Sequence, residues 1–141
     1  MSIPKFKRLP SDLQAAIKPT REISGHGCKK GSWNSDYTIF TCTNPDNSGN
    51  NFTSTDKLYL LSSVEVFGSD DYDTAAGTTT QLEYYNNSSN SKIKQYNSSN
   101  SWWWLRSADS DACFRFVSDY GYLLSNIAYG TNGVAPAFRI G

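Results

Sequence analysis

Charge is scarce in this sequence. Asp, Glu, Lys and Arg make up 18% of its 141 residues, and their charges cancel to a formal net of zero. That removes the electrostatic footprint of a protein that binds nucleic acid or an anionic membrane surface. Long apolar runs are lacking as well. Nothing approaches the roughly 20 residues that a membrane-spanning helix needs, so no membrane insertion is expected. The opening Met1-Ser2-Ile3-Pro4-Lys5-Phe6-Lys7-Arg8 is basic with no apolar stretch behind it, which does not fit a secretory signal. There is one histidine, His26, and the three cysteines, Cys28, Cys42 and Cys113, are scattered with no CxxC pair. Neither a metal site nor a cofactor is expected from that inventory. The cysteines read as buried thiols, small hydrophobes in effect, with a Cys28–Cys42 disulfide as the alternative.

What is present is aromatic. Phe, Trp and Tyr reach 14%, with Asn, Ser, Thr and Gly filling the space that charge leaves. A disordered chain would be poor in aromatics, so this one folds, and its length suits a single domain over residues 1–141. Tyr, Trp, Ser, Asn and Gly are also the vocabulary of binding loops, where rigid rings meet small adaptable hydrogen-bonders.

The pattern centres on Ser101-Trp102-Trp103-Trp104-Leu105-Arg106-Ser107. In an extended strand Trp102 and Trp104 share one face, and Trp103 and Leu105 the other. Either the strand is covered on both sides, or one indole is offered to a partner.

Along the chain, residues 9–19 read as a short helix. Ser11 or Asp12 caps it, Leu13, Ala16 and Ile17 form an apolar stripe, and Pro19 stops it. The Gly25-His26-Gly27-Cys28 stretch reads as a glycine-rich loop, since adjacency alone does not make a Cys/His catalytic pair. Residues 38–43 read as a strand, and residues 44–51 as an exposed loop whose Asp46, Ser48 and Asn50 do not meet the calcium-loop pattern. Residues 55–62 read as a strand. One helical turn follows, capped by Ser62 or Ser63 and closed by Gly68. Asp70, Asp71 and Asp73 read as a solvated acidic loop. Residues 78–85 suggest a second short helix, and the Asn-Ser-rich tract over 86–100 a loop with an edge strand. Four closely spaced strands then fall at 102–106, 112–118, 122–128 and 135–140, with turns at 109–111, 119–121 and 129–133. The class is α+β.

The blocks Leu9-Pro10-x-x-Leu13-Gln14-Ala15-Ala16-Ile17-Lys18, Asp56-Lys57-Leu58-Tyr59-Leu60-Leu61-Ser62 with Glu65-Val66-x-Gly68, Trp103-Trp104-Leu105-Arg106-Ser107 and Gly133-Val134-Ala135-Pro136-Ala137-Phe138 occur in that order. Together they resemble the "WWLRSP…GVRPAF" domains of gut Firmicutes and their phages. Those domains are similar to C-type-lectin-fold domains of the formylglycine-generating-enzyme subtype. Ala108 stands where that pattern has proline. The calcium-dependent sugar motifs of animal lectins and the active-site cysteine pair of the enzyme are both missing. The resemblance implies a C-type-lectin-like fold, here as the C-terminal module of a longer fibre or adhesin, or as a short member, with a variable-type segment over about 102–140. The relatives include variable proteins of diversity-generating retroelements, which act as ligand-binding tips of tail fibres or as surface adhesins. Carried to this chain, the binding residues are Asp109, Asp111, Arg115, Phe116, Ser118, Tyr120, Tyr122, Leu124, Ser125, Asn126, Tyr129 and Asn132, with Trp103 as the offered indole. Phe114 reads as core, and Arg106 as a scaffold residue bonded to carbonyls or an acid.

The expected function is therefore non-enzymatic recognition of a bacterial surface protein or glycan, in a virion or at a cell surface, with a homotrimer or other homo-oligomer giving avidity. The alternative is a cell-wall-acting hydrolase built on the clustered acids Asp70, Asp71, Asp73 and Glu83. A structural virion decoration is a third reading.

Overall fold

A computed structural model describes residues 9–24, 52–70, 73, 80–108 and 113–141. The strand expected at 38–43, the loop at 44–51, His26, Cys28 and Cys42 lie outside the described residues. The elements in order are α1 (Ser11–Ala16), β1 (Ile17–Lys18), β2 (Thr20–Ser24), β3 (Phe52–Asp56), α2 (Ser63–Phe67), α3 (Glu83–Asn86), β4 (Lys94–Tyr96), β5 (Ser99–Ser101), β6 (Trp103–Ala108), β7 (Cys113–Val117), β8 (Leu123–Ile127) and β9 (Arg139–Ile140). Short helices and small antiparallel sheets make the class α+β.

The sheets are separate: β1 with β9, β2 with β3, β4 with β5, and the three-stranded β6-β7-β8. The first of these joins the two ends of the described chain, pairing Ile17 with Ile140 and Lys18 with Arg139. It also corrects the reading of the opening segment. The helix stops at Ala16, its N-cap is Pro10 without a side-chain cap bond, and it buries none of its residues. Ile17 is buried through the strand instead. The β-branched side chain favours extended backbone, and the ladder to Ile140 satisfies the peptide groups that a further helical turn would have used.

The expected strand over 55–62 is also shorter. Pairing with β2 ends at Asp56, and Tyr59 makes only an isolated bridge to Ala137. The helical turn that follows is as the sequence reads. The Ser62 hydroxyl accepts from the Glu65 N–H, and the Glu65 carboxylate accepts from the Ser62 N–H at 2.7 Å, a complete capping box. Gly68 closes the turn at φ +84°, a left-handed conformation that suits glycine. The hairpin β4–β5 turns through Asn97 and Ser98, at φ 50° and 63°, the pair of left-handed residues that a two-residue type I′ turn demands.

The core gathers Leu61, Val66, Tyr85, Trp103, Leu105 and Val117, with Tyr59, Phe67 and Leu123 packed against it. Trp103, Val117 and Leu123 are register partners across β6, β7 and β8, so this face of the sheet is the inner one. Two polar assemblies lock it to the rest of the chain. In the first, the Arg106 guanidinium lies between Glu22 and Glu65 and donates to the carbonyls of Leu60 (2.8 Å) and Ile23 (3.3 Å). This is the scaffold role expected of Arg106. In the second, Arg115 forks onto Asp70 with two 2.8 Å bonds, and Ser107 donates at 2.8 Å to Asp73, which is 2% exposed. The acidic loop is therefore not solvated at these positions: Asp70 and Asp73 are buried and matched. Local sequence showed only like charges, whereas the compensating Arg115 and Ser107 lie more than thirty residues downstream.

Glu22 carries a pH signature. Burial pushes its carboxyl above the ordinary 4.5, Arg106 opposes that, and the neighbouring Glu65 charge adds to the rise. A raised folded pKa means that the folded state holds more protons than the unfolded one across that interval. The contribution of this group is thus fully present below the unfolded pKa and is lost as pH rises through the folded one. Glu22→Gln, which stays neutral at every pH, is expected to flatten the fall. The check is the difference in urea midpoint between variant and parent from pH 4.5 upward. A difference that does not change with pH contradicts it.

Candidate aromatic binding face

Strand alternation gives the second face of β6-β7-β8 its character. Trp104, Phe116 and Leu124 are register partners, as are Ala108, Phe114 and Asn126, and all lie opposite the core side chains. Trp102, just before β6, joins them, its ring 5.0 Å from that of Phe116, while Trp104 meets the same ring edge-on at 6.1 Å. Phe116 is buried beneath these two indoles. Trp102 remains 44% exposed, and its indole N–H is held by the Asp119 carboxylate at 3.0 Å. The expected division of the tryptophans holds: Trp102 and Trp104 on one side, Trp103 and Leu105 on the other. The indole offered outward is Trp102, because Trp103 is 2% exposed and donates its N–H to the Lys92 carbonyl.

The turn between β7 and β8 is organised by Ser118, whose buried hydroxyl accepts from the N–H groups of Tyr120 and Tyr122. That closure sends both tyrosine rings to solvent. The Asn100 amide reaches across from β5 to the Asp119 carbonyl, which draws the β4–β5 hairpin and its exposed Tyr96 to the same end of the sheet. Beyond β8 the chain passes the exposed Tyr129 and returns to the outer edge of β6. There Gly133 accepts from the Trp104 N–H and donates to the Trp102 carbonyl. A side chain at Gly133 would place its Cβ 2.9 Å from that carbonyl oxygen, so the close approach requires glycine. Beside Ala128 a cavity of about 330 Å³ is lined by Leu60, Trp104, Leu105, Arg106 and Phe114.

The residues expected at the binding face separate into three groups. Tyr120, Tyr122, Leu124 and Tyr129 are exposed, Asn126 sits half-buried on the outer face, and Asn132 lines a groove beside Trp102. Trp103, Phe116 and Ser118 are buried, and Arg115 and Ser125 are engaged with Asp70 and with each other, the Arg115–Ser125 bond being 2.7 Å. Asp109 and Asp111 lie outside the described residues. Phe114, expected in the core, is 40% exposed on the outer face, because the partner residues on both neighbouring strands are the small Ala108 and the polar Asn126. Tyr96, Trp102 and Phe114 are the surface aromatics that sequence reasoning left out. Alternation from the buried Trp103 and Val117 is the signal that finds Trp102 and Phe114.

The described side chains of this face are aromatic, aliphatic, amide and hydroxyl, with the Asp119 carboxylate tied to the Trp102 indole. Among the described residues no three His, Cys, Asp or Glu side chains gather as a metal site. No helix among them is long and apolar enough to cross a membrane.

The model of one protein family matches residues 4–141, nearly the whole chain. The chain belongs to the DUF6273 family, a domain of unknown function. No curated protein and no solved structure matches it. In this DUF6273 domain the matched span takes in both the locked inner face and the aromatic outer one.

Proposed function

We propose that this DUF6273 domain is a non-enzymatic receptor-binding module of C-type-lectin-like fold that recognises a bacterial surface protein or glycan. It would serve as the tip of a phage tail fibre or as a displayed variable protein diversified by a retroelement. The observation that carries the reading is the contrast between the two faces of β6-β7-β8. The inner face is fixed by core packing and buried ion pairs, while the outer face and its turns hold Trp102, Tyr120, Tyr122 and Leu124 at the surface. Aromatic anchors of this kind supply most of the affinity in an interface, at low cost in side-chain entropy. Assembly as a homotrimer or other homo-oligomer would multiply weak single-site binding. The resemblance of the WWLRS and GVAPAF blocks to fibre and adhesin domains supports the same reading.

The test is adsorption of the purified domain to a panel of gut bacterial cells. Tyr120→Ser with Tyr122→Ser is expected to weaken adsorption at least tenfold, the loss of two anchors at about 1 kcal/mol or more each. Tyr84→Ser, an exposed tyrosine on α3, leaves it unchanged. Equal losses from both variants would overturn the assignment of the face.

A further inference from the structure

The groove beside Trp102 is distinct from the cavity at Phe114 and has its own chemistry. It measures about 590 Å³ and runs between the β4–β5 hairpin and the segment ending at Gly133. Tyr96, Asn100, Ser101, Trp102, Thr131 and Asn132 line it, and none of the lining side chains is charged. Two aromatic rings therefore bound a space otherwise walled by amides, hydroxyls, Gly133 and the apolar Val134. The Trp102 ring cannot swing freely, because Asp119 holds its N–H and Phe116 supports it from below. Asn100 is spent on structure, donating to the Asp119 carbonyl and accepting from Gln95. Asn132 is not. Its amide oxygen and nitrogen are both shielded from solvent, and neither has a hydrogen-bond partner. A buried amide without partners is a cost that a fold removes unless something else satisfies it.

We infer that this groove binds a neutral oligosaccharide, with one sugar ring against the Trp102 indole and its hydroxyls paired with the Asn132 amide, which a side-chain rotation turns from its shielded position into the groove. A pyranose matches these features together. Its axial C–H face is apolar and flat enough to lie on an aromatic ring. Its adjacent hydroxyls can give a proton to the amide oxygen while accepting from the amide nitrogen. An acidic sugar fits less well, since the Asp119 carboxylate is bonded to the indole on which the ring would lie and none of the lining side chains is cationic. This rests on the receptor-binding reading and names the ligand class of one part of that surface.

The whole chain is titrated with cellotriose, chitotriose and mannotriose, and with trigalacturonate as the charged counterpart. Tryptophan fluorescence and amide shifts follow binding. At least one neutral trisaccharide should bind at millimolar or tighter concentration, shifting the Trp102 indole and Asn132 side-chain signals. Asn132→Ala should weaken it about tenfold while leaving thermal stability equal or higher, since it removes an unsatisfied amide. Tyr96→Ala, at an exposed position that leaves the fold intact, should weaken it too. No binding by any neutral sugar, tighter binding of trigalacturonate, or full affinity in both variants overturns the inference. A chain that still adsorbs to bacterial cells through Tyr120 and Tyr122 while ignoring every sugar keeps the receptor-binding reading and loses only this one. Failure of adsorption as well removes both.

Discussion

Replacing Arg106 with methionine should cost about 3–5 kcal/mol of folding stability, the range for breaking a buried ion pair from one side. The guanidinium is the shared partner of Glu22 and Glu65, both buried, and of two backbone carbonyls. Methionine fills much of the same volume, so the loss is electrostatic rather than a cavity. Two carboxylates are left facing each other in a poorly hydrated site, and the Leu60 and Ile23 carbonyls lose their donor. The β2·α2·β6 junction depends on this one side chain. Neutralising both acids in the same chain, Glu22→Gln with Glu65→Gln, should recover a large part of the loss, because the repulsion and the desolvation of unpaired charge disappear. Glutamine at position 65 can still serve the capping box. Chemical denaturation of the single, double and triple variants measures this. A single-variant loss under about 1 kcal/mol, the scale of an exposed pair, would show that the cluster is solvated in solution.

The second large effect separates neighbouring tryptophans. Trp103→Ala should cost about 3–5 kcal/mol, the usual loss for a large buried aromatic. The ring packs among Leu61, Leu105 and Val117, its N–H satisfies the Lys92 carbonyl, and the Lys94 ammonium sits 4.9 Å over its face. Trp102→Ala removes a half-exposed ring and one surface hydrogen bond, for about 1 kcal/mol. Calorimetric or urea unfolding of the pair decides it. Equal losses, or a larger loss at Trp102, would place the wrong indole in the core.

Much of this was legible in the sequence because the information was local or periodic. Ser62, Glu65 and Gly68 specify their helical turn within seven residues. The three tryptophans declare their two faces through the period of a strand. Other features depend on partners distant in the chain. Ile17 is in a strand because Ile140 lies beside it, and Asp70 and Asp73 are buried because Arg115 and Ser107 meet them. No short window contains those pairs. The candidate binding face was half legible for the same reason. Tyr120, Tyr122 and Leu124 follow from turn and alternation, but Arg115 and Ser125 alternate onto the inner side, where Asp70 claims the arginine. Tyr96 reaches the face only through the Asn100–Asp119 bond between two hairpins.

The central claim is that the outer face of β6-β7-β8 and its turns meet the ligand. Amide shift mapping of the labelled domain, titrated with solubilised envelope from a bacterium to which it adsorbs, tests this directly. Perturbed amides should cluster at Trp102, Trp104, Phe114, residues 119–126 and residues 129–133, leaving β2–β3 and α3 unmoved. Perturbation centred on α3 or on β2–β3, with the outer face silent, would contradict the account.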